Sequence, residues 1–118
     1  MSRAPLLLVL LCVSACTGSP VGDPCIPEVV PPGGFDERDR YVESPSVQCV
    51  TRTCVVSGLS GDPREGCTGD TCASPADVPR HVYCSCRCDS EAQSGACACP
   101  TGFRCEPFPA QGSYCVRE

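Results

Sequence analysis

The sequence predicts a small disulfide-rich fold, mostly β-strand and irregular chain, with short strands, hairpins and little helix. The first observation is the cysteine content, which is 14 of 118 residues and is typical of a cross-linked scaffold. The second is the scarcity of core-forming side chains, since residues 16–118 hold one Leu, one Ile, three Phe and eleven Val. A chain with so little to bury needs bridges to fold. Short Val-rich and Thr-rich segments between Gly and Pro residues favour strands.

The N-terminus has the pattern of an export signal. Arg3 gives a charged start, and an apolar run from Ala4 to Val13 follows that is too short to span a bilayer. Val13-Ser14-Ala15-Cys16 resembles the lipobox of bacterial lipoproteins, in which the signal peptidase cuts before the cysteine and acyl chains such as palmitate are attached to it. The resemblance implies a signal peptide over 1–15 and lipid attachment at Cys16. An ordinary secretory cleavage site, which Val13 and Ala15 also satisfy, is the alternative.

Cysteine parity favours the lipoprotein interpretation. Removal of Cys12 with the signal leaves thirteen cysteines, and an odd number in an exported protein implies a reactive or intermolecular thiol. Lipidation of Cys16 leaves an even number that can close six bridges, although their connectivity does not follow from the sequence. The predicted disulfide cysteines are Cys25, Cys49, Cys54, Cys67, Cys72, Cys84, Cys86, Cys88, Cys97, Cys99, Cys105 and Cys115.

The exported chain divides into a tether and a domain. Residues 16–34 are rich in Pro and Gly, a composition typical of an extended, semi-rigid linker. Cys25 lies within this segment, so we expect its far half to be pinned to the cysteine-rich domain, residues 35–118. Phe35 to Val42 predicts either one or two helical turns, with Asp36 and Arg40 one turn apart, or an exposed charged loop.

The central elements are predicted from Val and Thr content and from turn residues. Ser46 to Ser57 reads as a strand, in which Cys49 and Cys54 face opposite sides and therefore bridge to different partners. Gly69-Asp70 favours a tight turn that would allow a local bridge between Cys67 and Cys72. Ser74 to Asp77 predicts a single capped helical turn that Pro79 ends.

The C-terminal third predicts a stapled hairpin. Cys84, Cys86 and Cys88 would share one face of a strand, and a second strand would start near Cys97 after a polar connector. The segment Cys97–Cys105 resembles the end of an epidermal-growth-factor-like module, with Cys-x-Cys, two residues, Gly and an aromatic. Because Cys105 comes too early and Cys115 too late for that family's spacing, the likeness implies a small disulfide-rich hairpin rather than membership.

The sequence favours a protein that is not an enzyme and has no cofactor or metal. His81 is the single histidine, and neither Gly-x-Ser-x-Gly nor His-Glu-x-x-His occurs. The pairs Asp36 with Asp39 and Asp62 with Asp70 offer acid–base or calcium chemistry in principle, but loop solvation explains them better. Net charge is −5 and the arginines are scattered, which argues against a nucleic-acid partner. The aromatic residues favour a small core: Tyr41, Tyr83, Phe103, Phe108 and Tyr114.

We therefore expect a non-enzymatic, lipid-anchored protein of the cell envelope, with a structural or protein-binding role. It would contact the membrane through Cys16 and bind an unidentified protein partner. Thr17 is not the Asp that commonly retains lipoproteins at the inner membrane, which favours the outer membrane or cell surface. A secreted protease inhibitor that presents Arg64 on the loop from Gly61 to Gly66 is the first alternative. A metallothionein-like thiolate metal-binding protein is the second, less favoured because exported thiols oxidise.

Overall fold

The computed structural model describes residues 20–89 and 96–118. The predicted signal peptide, Cys12, the lipid-attachment residue Cys16 and the start of the tether lie outside the described residues. The elements are β1 (Arg40–Glu43), β2 (Cys54–Ser57), α1 (Val78–His81), β3 (Val82–Cys84), β4 (Phe103–Phe108) and β5 (Gly112–Arg117). The predicted fold class, small, disulfide-rich and mostly β or irregular, is confirmed.

A three-stranded antiparallel sheet in the order β1-β2-β3 forms the first half of the molecule. Val42 pairs with Val55, and Cys54 pairs with Cys84. The central strand β2 is buried on both faces because successive side chains alternate. Cys54 and Val56 face a core that includes Phe35, Leu59 and Val82, whereas Val55 faces a second core with Tyr83.

The second core lies beneath the antiparallel hairpin β4–β5, whose Cys105 pairs with Cys115. Phe108 and Tyr114 pack with their ring centroids 5.3 Å apart. The Arg117 guanidinium lies about 5 Å from the ring centroids of Tyr83 and Phe103, within the range of a cation–π contact. The hairpin thus buries its apolar face against β2 and β3.

The part of the predicted tether that the structure describes packs against the sheet. Gly22 donates its N–H to the Cys84 carbonyl, and Cys84 donates back to Asp23, both at 2.8 Å. Cys25 is buried and bridges to Cys54. The chain is therefore pinned from residue 22 onward, while the boundary between tether and domain at residue 34 stays a prediction.

All twelve cysteines after residue 24 are paired. The bridges are Cys25–Cys54, Cys49–Cys84, Cys67–Cys72, Cys86–Cys97, Cys88–Cys105 and Cys99–Cys115. The local Cys67–Cys72 bridge is confirmed, and so is the expectation that Cys49 and Cys54 take different partners. The continuous strand that suggested those different partners is wrong, because residues 46–53 form turns and β2 begins only at Cys54.

Two other local predictions are also wrong. Residues 96–100 form no strand, and Cys86 and Cys88 lie beyond the end of β3. The hairpin instead begins at Phe103. Cys97 is held outside any strand by its bridge to Cys86 and by its N–H, which donates to the Arg87 carbonyl at 3.0 Å. Pro79 does not end the helix but lies inside α1, where its missing N–H is not needed in the first turn.

Of the two alternatives for Phe35 to Val42, the helix does not form. Asp36 pairs with Arg38 rather than Arg40, and Arg40 begins β1. In the ranges that the structure describes, no helix combines the length and the apolar character needed to cross a bilayer.

Candidate binding groove

An apolar groove of about 510 Å³ lies beside the first core. Three segments form it: Pro24 to Ile26, the loop from Asp62 to Cys72, and α1 with the residues just before it. Its lining residues are Pro24, Cys25, Ile26, Asp62, Pro63, Arg64, Glu65, Gly66, Cys67, Cys72, Ala73, Pro75, Val78, Pro79 and Val82. Apolar walls with a few polar groups at the edge are typical of a site that takes an apolar side chain or ligand.

The backbone fixes the loop wall of the groove in place. Asp62 donates its N–H to the Thr71 carbonyl at 2.8 Å, and Ala73 donates to the Asp62 carbonyl at 2.9 Å. The Cys67–Cys72 bridge closes the same loop. Gly61 has a φ of +105°, and a Cβ atom there would lie 2.6 Å from the Ala73 nitrogen. Glycine is therefore required for this close approach of the two backbones.

The rim of the groove carries one ion pair, between Arg64 and Asp62. Arg64 Nη2 lies 2.8 Å from Asp62 Oδ2, and the backbone N–H of Arg64 donates to Asp62 Oδ1 at 2.9 Å. These hydrogen bonds from Arg64 hold the pKa of the Asp62 carboxyl below its usual value. The Arg64 side chain, predicted to be presented by an inhibitory loop, is half exposed but folded back onto Asp62.

Asp36 and Asp39, the other acidic pair singled out in the sequence, accept hydrogen bonds from within their own loop. Asp39 Oδ2 accepts the Asp36 N–H at 2.7 Å, and Asp36 Oδ1 accepts from both the backbone and Nε of Arg38. The Arg38 hydrogen bonds lower the pKa of Asp36. Among the described residues, groups of three or more close metal-ligating side chains consist only of cysteines, and each of these is disulfide-bonded.

His81 and the predicted aromatic core lie outside the groove lining. His81 Nδ1 donates to the Ser57 carbonyl at 2.9 Å, which ties the end of α1 to β2. Tyr83, Phe108 and Tyr114 are buried and Tyr41 and Phe103 are half-buried, so these rings contribute mainly to the core as predicted. Phe35 was not predicted as a core residue, but it is buried in the first core, with its ring centroid 5.6 Å from that of Tyr41.

A second apolar feature is the tip of the loop at residues 46–52, which we call the valine loop. Val47 and Val50 are 89% and 84% exposed. The loop is nevertheless firmly held, because Cys49 bridges to Cys84 and the Gln48 side-chain amide makes two hydrogen bonds with the Ile26 backbone. This exposed loop was not predicted, because the Val and Thr content of the segment indicates a strand.

No protein-family model matches this chain, and neither a curated protein nor a solved structure does so.

The groove was also missed from the sequence. One of its walls, Pro24 to Ile26, lies about forty residues before the other two, and no periodic pattern connects them. The single local signal was the Gly69-Asp70 turn with its flanking cysteines, which located the bridged loop but not the surface it faces.

Proposed function

We propose that this protein is a non-enzymatic, lipid-anchored component of the cell envelope whose disulfide-stapled domain binds a protein partner through the apolar groove. The proposal joins two independent parts. The anchor rests on the lipobox resemblance at Cys16 and on cysteine parity, and the binding role rests on the groove.

One observation carries the binding role: disulfides immobilise two of the three segments that form the groove. Cys25 is bridged to β2, and Cys67 is bridged to Cys72 across the loop. A surface that is already ordered loses little conformational entropy when a partner binds, so more of the contact energy appears as affinity. The charged rim of Asp62, Arg64 and Glu65 around apolar walls matches the usual anatomy of a protein interface.

The anchor is tested by the intact mass of the protein from its native host, before and after reduction. We expect a mass that fits residues 16–118 plus acyl chains, and about 12 Da gained on reduction as six bridges open. In a Cys16→Ser variant the acyl mass should be absent. An unlipidated wild-type protein would favour the freely secreted alternative and place the protein outside the membrane.

The binding role is tested by site-specific photo-crosslinking in cells. A photoreactive side chain at Ile26 places the probe in the groove, whereas one at Val47 places it on the valine loop. We expect a discrete crosslinked band from position 26 that a Pro79→Glu substitution in the α1 wall weakens. Crosslinks from position 47 alone would move the binding face to the valine loop, and none from either position would reject the protein-binding role.

The inhibitor alternative keeps one supporting observation, because the loop from Gly61 to Gly66 is rigidly held and Arg64 is half exposed. For Arg64 to enter the specificity pocket of a protease that cleaves after basic residues, it would first have to leave Asp62. We therefore rank this function second. Inhibition of such a protease by the wild type at micromolar concentration, lost in Arg64→Ala, would reverse the ranking.

A further inference from the structure

The sulfur atoms of the last six cysteines form one contiguous group, which we call the sulfur cluster. It consists of three bridges, Cys88–Cys105, Cys99–Cys115 and Cys86–Cys97. Cys115 Sγ lies 3.8 Å from Cys86 Sγ and 3.7 Å from Cys97 Sγ. The sulfurs of Cys88, Cys99 and Cys115 all lie within 4.8 Å of one another. Each bridge is thus a close neighbour of the next.

Solvent exposure falls from one end of the sulfur cluster to its middle. Cys105 is exposed, Cys88 and Cys99 are half-buried, and Cys115 is fully buried. A dissolved thiol therefore reaches the Cys88–Cys105 bridge at Cys105 first. The buried Cys115 touches the other two bridges and can be reached only from within the protein.

We propose that the sulfur cluster is a thiol–disulfide exchange site, which takes up an external thiol at Cys105 and passes the released thiolate inward. In the first step a low-molecular-weight thiolate attacks Cys105 Sγ. A new sulfur–sulfur bond forms between that thiol and Cys105, and the Cys88–Cys105 bond breaks. The electron pair leaves on Cys88 as a thiolate, so the number of disulfides is unchanged.

The second and third steps need no further reagent. The Cys88 thiolate attacks either sulfur of the Cys99–Cys115 bridge, both of which lie within 4.8 Å of it. Attack on Cys115 releases the Cys99 thiolate, whereas attack on Cys99 forms Cys88–Cys99 and releases the Cys115 thiolate. That thiolate attacks Cys97 Sγ at 3.7 Å, which forms Cys97–Cys115 and releases the Cys86 thiolate. Attack on Cys86 at 3.8 Å releases Cys97 instead. In every step one disulfide forms as one breaks, and the protein ends with Cys105 capped by the external thiol.

The reason to expect transfer is that attacker and target are already close, within 4.8 Å for Cys88 and the Cys99–Cys115 bridge and within 3.8 Å for Cys115 and the Cys86–Cys97 bridge. Exchange requires a thiolate beside a disulfide sulfur, and holding the two together raises their effective concentration far above that of a dissolved thiol. The Cys67–Cys72 bridge provides the contrast within the same chain. Neither of its sulfurs belongs to any close group of ligating side chains in the described ranges, so a thiolate released there has no disulfide to attack.

The test is to create the first thiolate without a reagent. A Cys105→Ser variant leaves Cys88 unpaired, and a Cys72→Ser variant leaves Cys67 unpaired as the matched control. Both purified proteins are held at about pH 8, where a substantial share of an ordinary thiol is ionised. They are then acid-quenched, alkylated and mapped by peptide mass spectrometry. We expect the label in Cys105→Ser to shift with time from Cys88 to Cys99, Cys115, Cys86 and Cys97, and in Cys72→Ser to remain on Cys67.

Label confined to Cys88 in the Cys105→Ser variant would overturn the proposal. Should that variant not fold, wild-type protein treated with less than one equivalent of a small thiol gives the same information. A cap on Cys105 together with label on Cys86, Cys97, Cys99 or Cys115 supports transfer. A cap on Cys105 with label on Cys88 alone, or thiol capture at Cys67–Cys72 in preference to Cys105, rejects it. None of these readouts depends on the lipid anchor or on a partner in the groove.

Discussion

The Gln111 side chain acts as an additional strand residue that joins the hairpin to the sheet. Its Oε1 accepts the Val42 N–H at 3.1 Å, and its Nε2 donates to the Arg40 carbonyl at 2.9 Å. Both backbone groups lie on the outer edge of β1, the edge strand of the sheet. Replacement of Gln111 by Ala should therefore destabilise the fold, because these backbone groups are left without their partner.

The expected loss follows from the burial of these two hydrogen bonds. A net contribution of about 0.5–1.5 kcal/mol for each bond gives about 1–3 kcal/mol. Both bonds are only partly buried, so water replaces part of the loss and we expect about 1–2 kcal/mol. For a domain of this size each kcal/mol lowers the thermal midpoint by about 4–8 °C. Thermal unfolding without reductant, so that all bridges stay closed, measures the shift.

Gln48 offers a matched control for Gln111. Its side-chain amide makes the same pair of hydrogen bonds, here with the N–H and carbonyl of Ile26, but in an exposed position. Gln48→Ala should cost less than Gln111→Ala, because solvent already competes for the Ile26 groups. Equal losses of unfolding free energy in the two variants would mean that the shortened side chain, and not the loss of the partly buried hydrogen bonds of Gln111, determines the effect.

A Gln111→Glu substitution should make the stability of this contact depend on pH. The introduced carboxyl can still accept from Val42, but only its protonated form can donate to the Arg40 carbonyl. The folded state therefore favours the protonated form, which raises the pKa of this carboxyl above its unfolded value near 4.3. The associated stability is present at low pH and is lost as pH rises through the raised pKa. A Gln111→Ala variant with the thermal midpoint of the wild type would refute this role of Gln111. So would a difference in midpoint between Gln111→Glu and wild type that does not widen from about pH 4 to 7.

Three further outcomes use the same unfolding assay. Phe108 is only 1% exposed, so Phe108→Ala should lower the free energy of unfolding by about 3–5 kcal/mol. Val47→Ala on the exposed valine loop should change it by no more than about 0.5 kcal/mol. Similar losses for both variants would refute the assigned core. Burial raises the pKa of Tyr83, so the unfolded chain loses this proton first and stability should fall as pH rises above about 10. Tyr83→Phe should flatten that decline and cost about 1 kcal/mol through the lost acceptor for the Arg117 N–H; an unchanged alkaline slope would disprove the assignment. Removal of the Cys67–Cys72 bridge, which spans 5 residues, should lower the free energy of unfolding by about 2 kcal/mol. Removal of the Cys49–Cys84 bridge, which spans 35 residues, should lower it by about 4 kcal/mol, because a longer closed loop restricts the unfolded chain more. A larger loss for the shorter bridge would contradict this loop-entropy explanation.

The parts of the fold that were predictable are those set by neighbouring residues. The Val-rich and Thr-rich segment from Ser46 to Ser57 indicated a strand, of which the last four residues form β2. A Gly-Asp turn flanked by cysteines indicated the Cys67–Cys72 bridge. Strand β1 was missed because its residues, Arg40 to Glu43, place two adjacent apolar side chains between two charged ones, so no alternating strand pattern is visible next to the acidic loop. What makes them a strand is pairing with β2 and the amide of Gln111, which lies about seventy residues away.

The long-range bridges were unpredictable for a related reason. Cys54 and Cys84 are neighbours across β2 and β3, yet they do not bridge to each other. Each bridges to a loop cysteine that lies near the sheet only in the folded chain, Cys25 and Cys49 respectively. Sequence spacing describes the chain before such contacts exist. The groove shares this limitation, since one of its walls, Pro24 to Ile26, is held to the sheet by the long-range Cys25–Cys54 bridge.

The bridges of the described chain fall into two separate groups, one before and one after Ser85. Cysteines up to Cys84 pair among themselves, and those from Cys86 onward do likewise, so no bridge among them crosses Ser85. Ser85 itself is fully buried, donates its hydroxyl to the Cys115 carbonyl at 2.6 Å and donates its N–H to Thr53. The joint between the groove-bearing sheet and the sulfur-bearing hairpin thus depends on buried hydrogen bonds, apolar packing and Gln111. Exchange within the sulfur cluster can therefore rearrange the hairpin while every bridge around the groove stays closed.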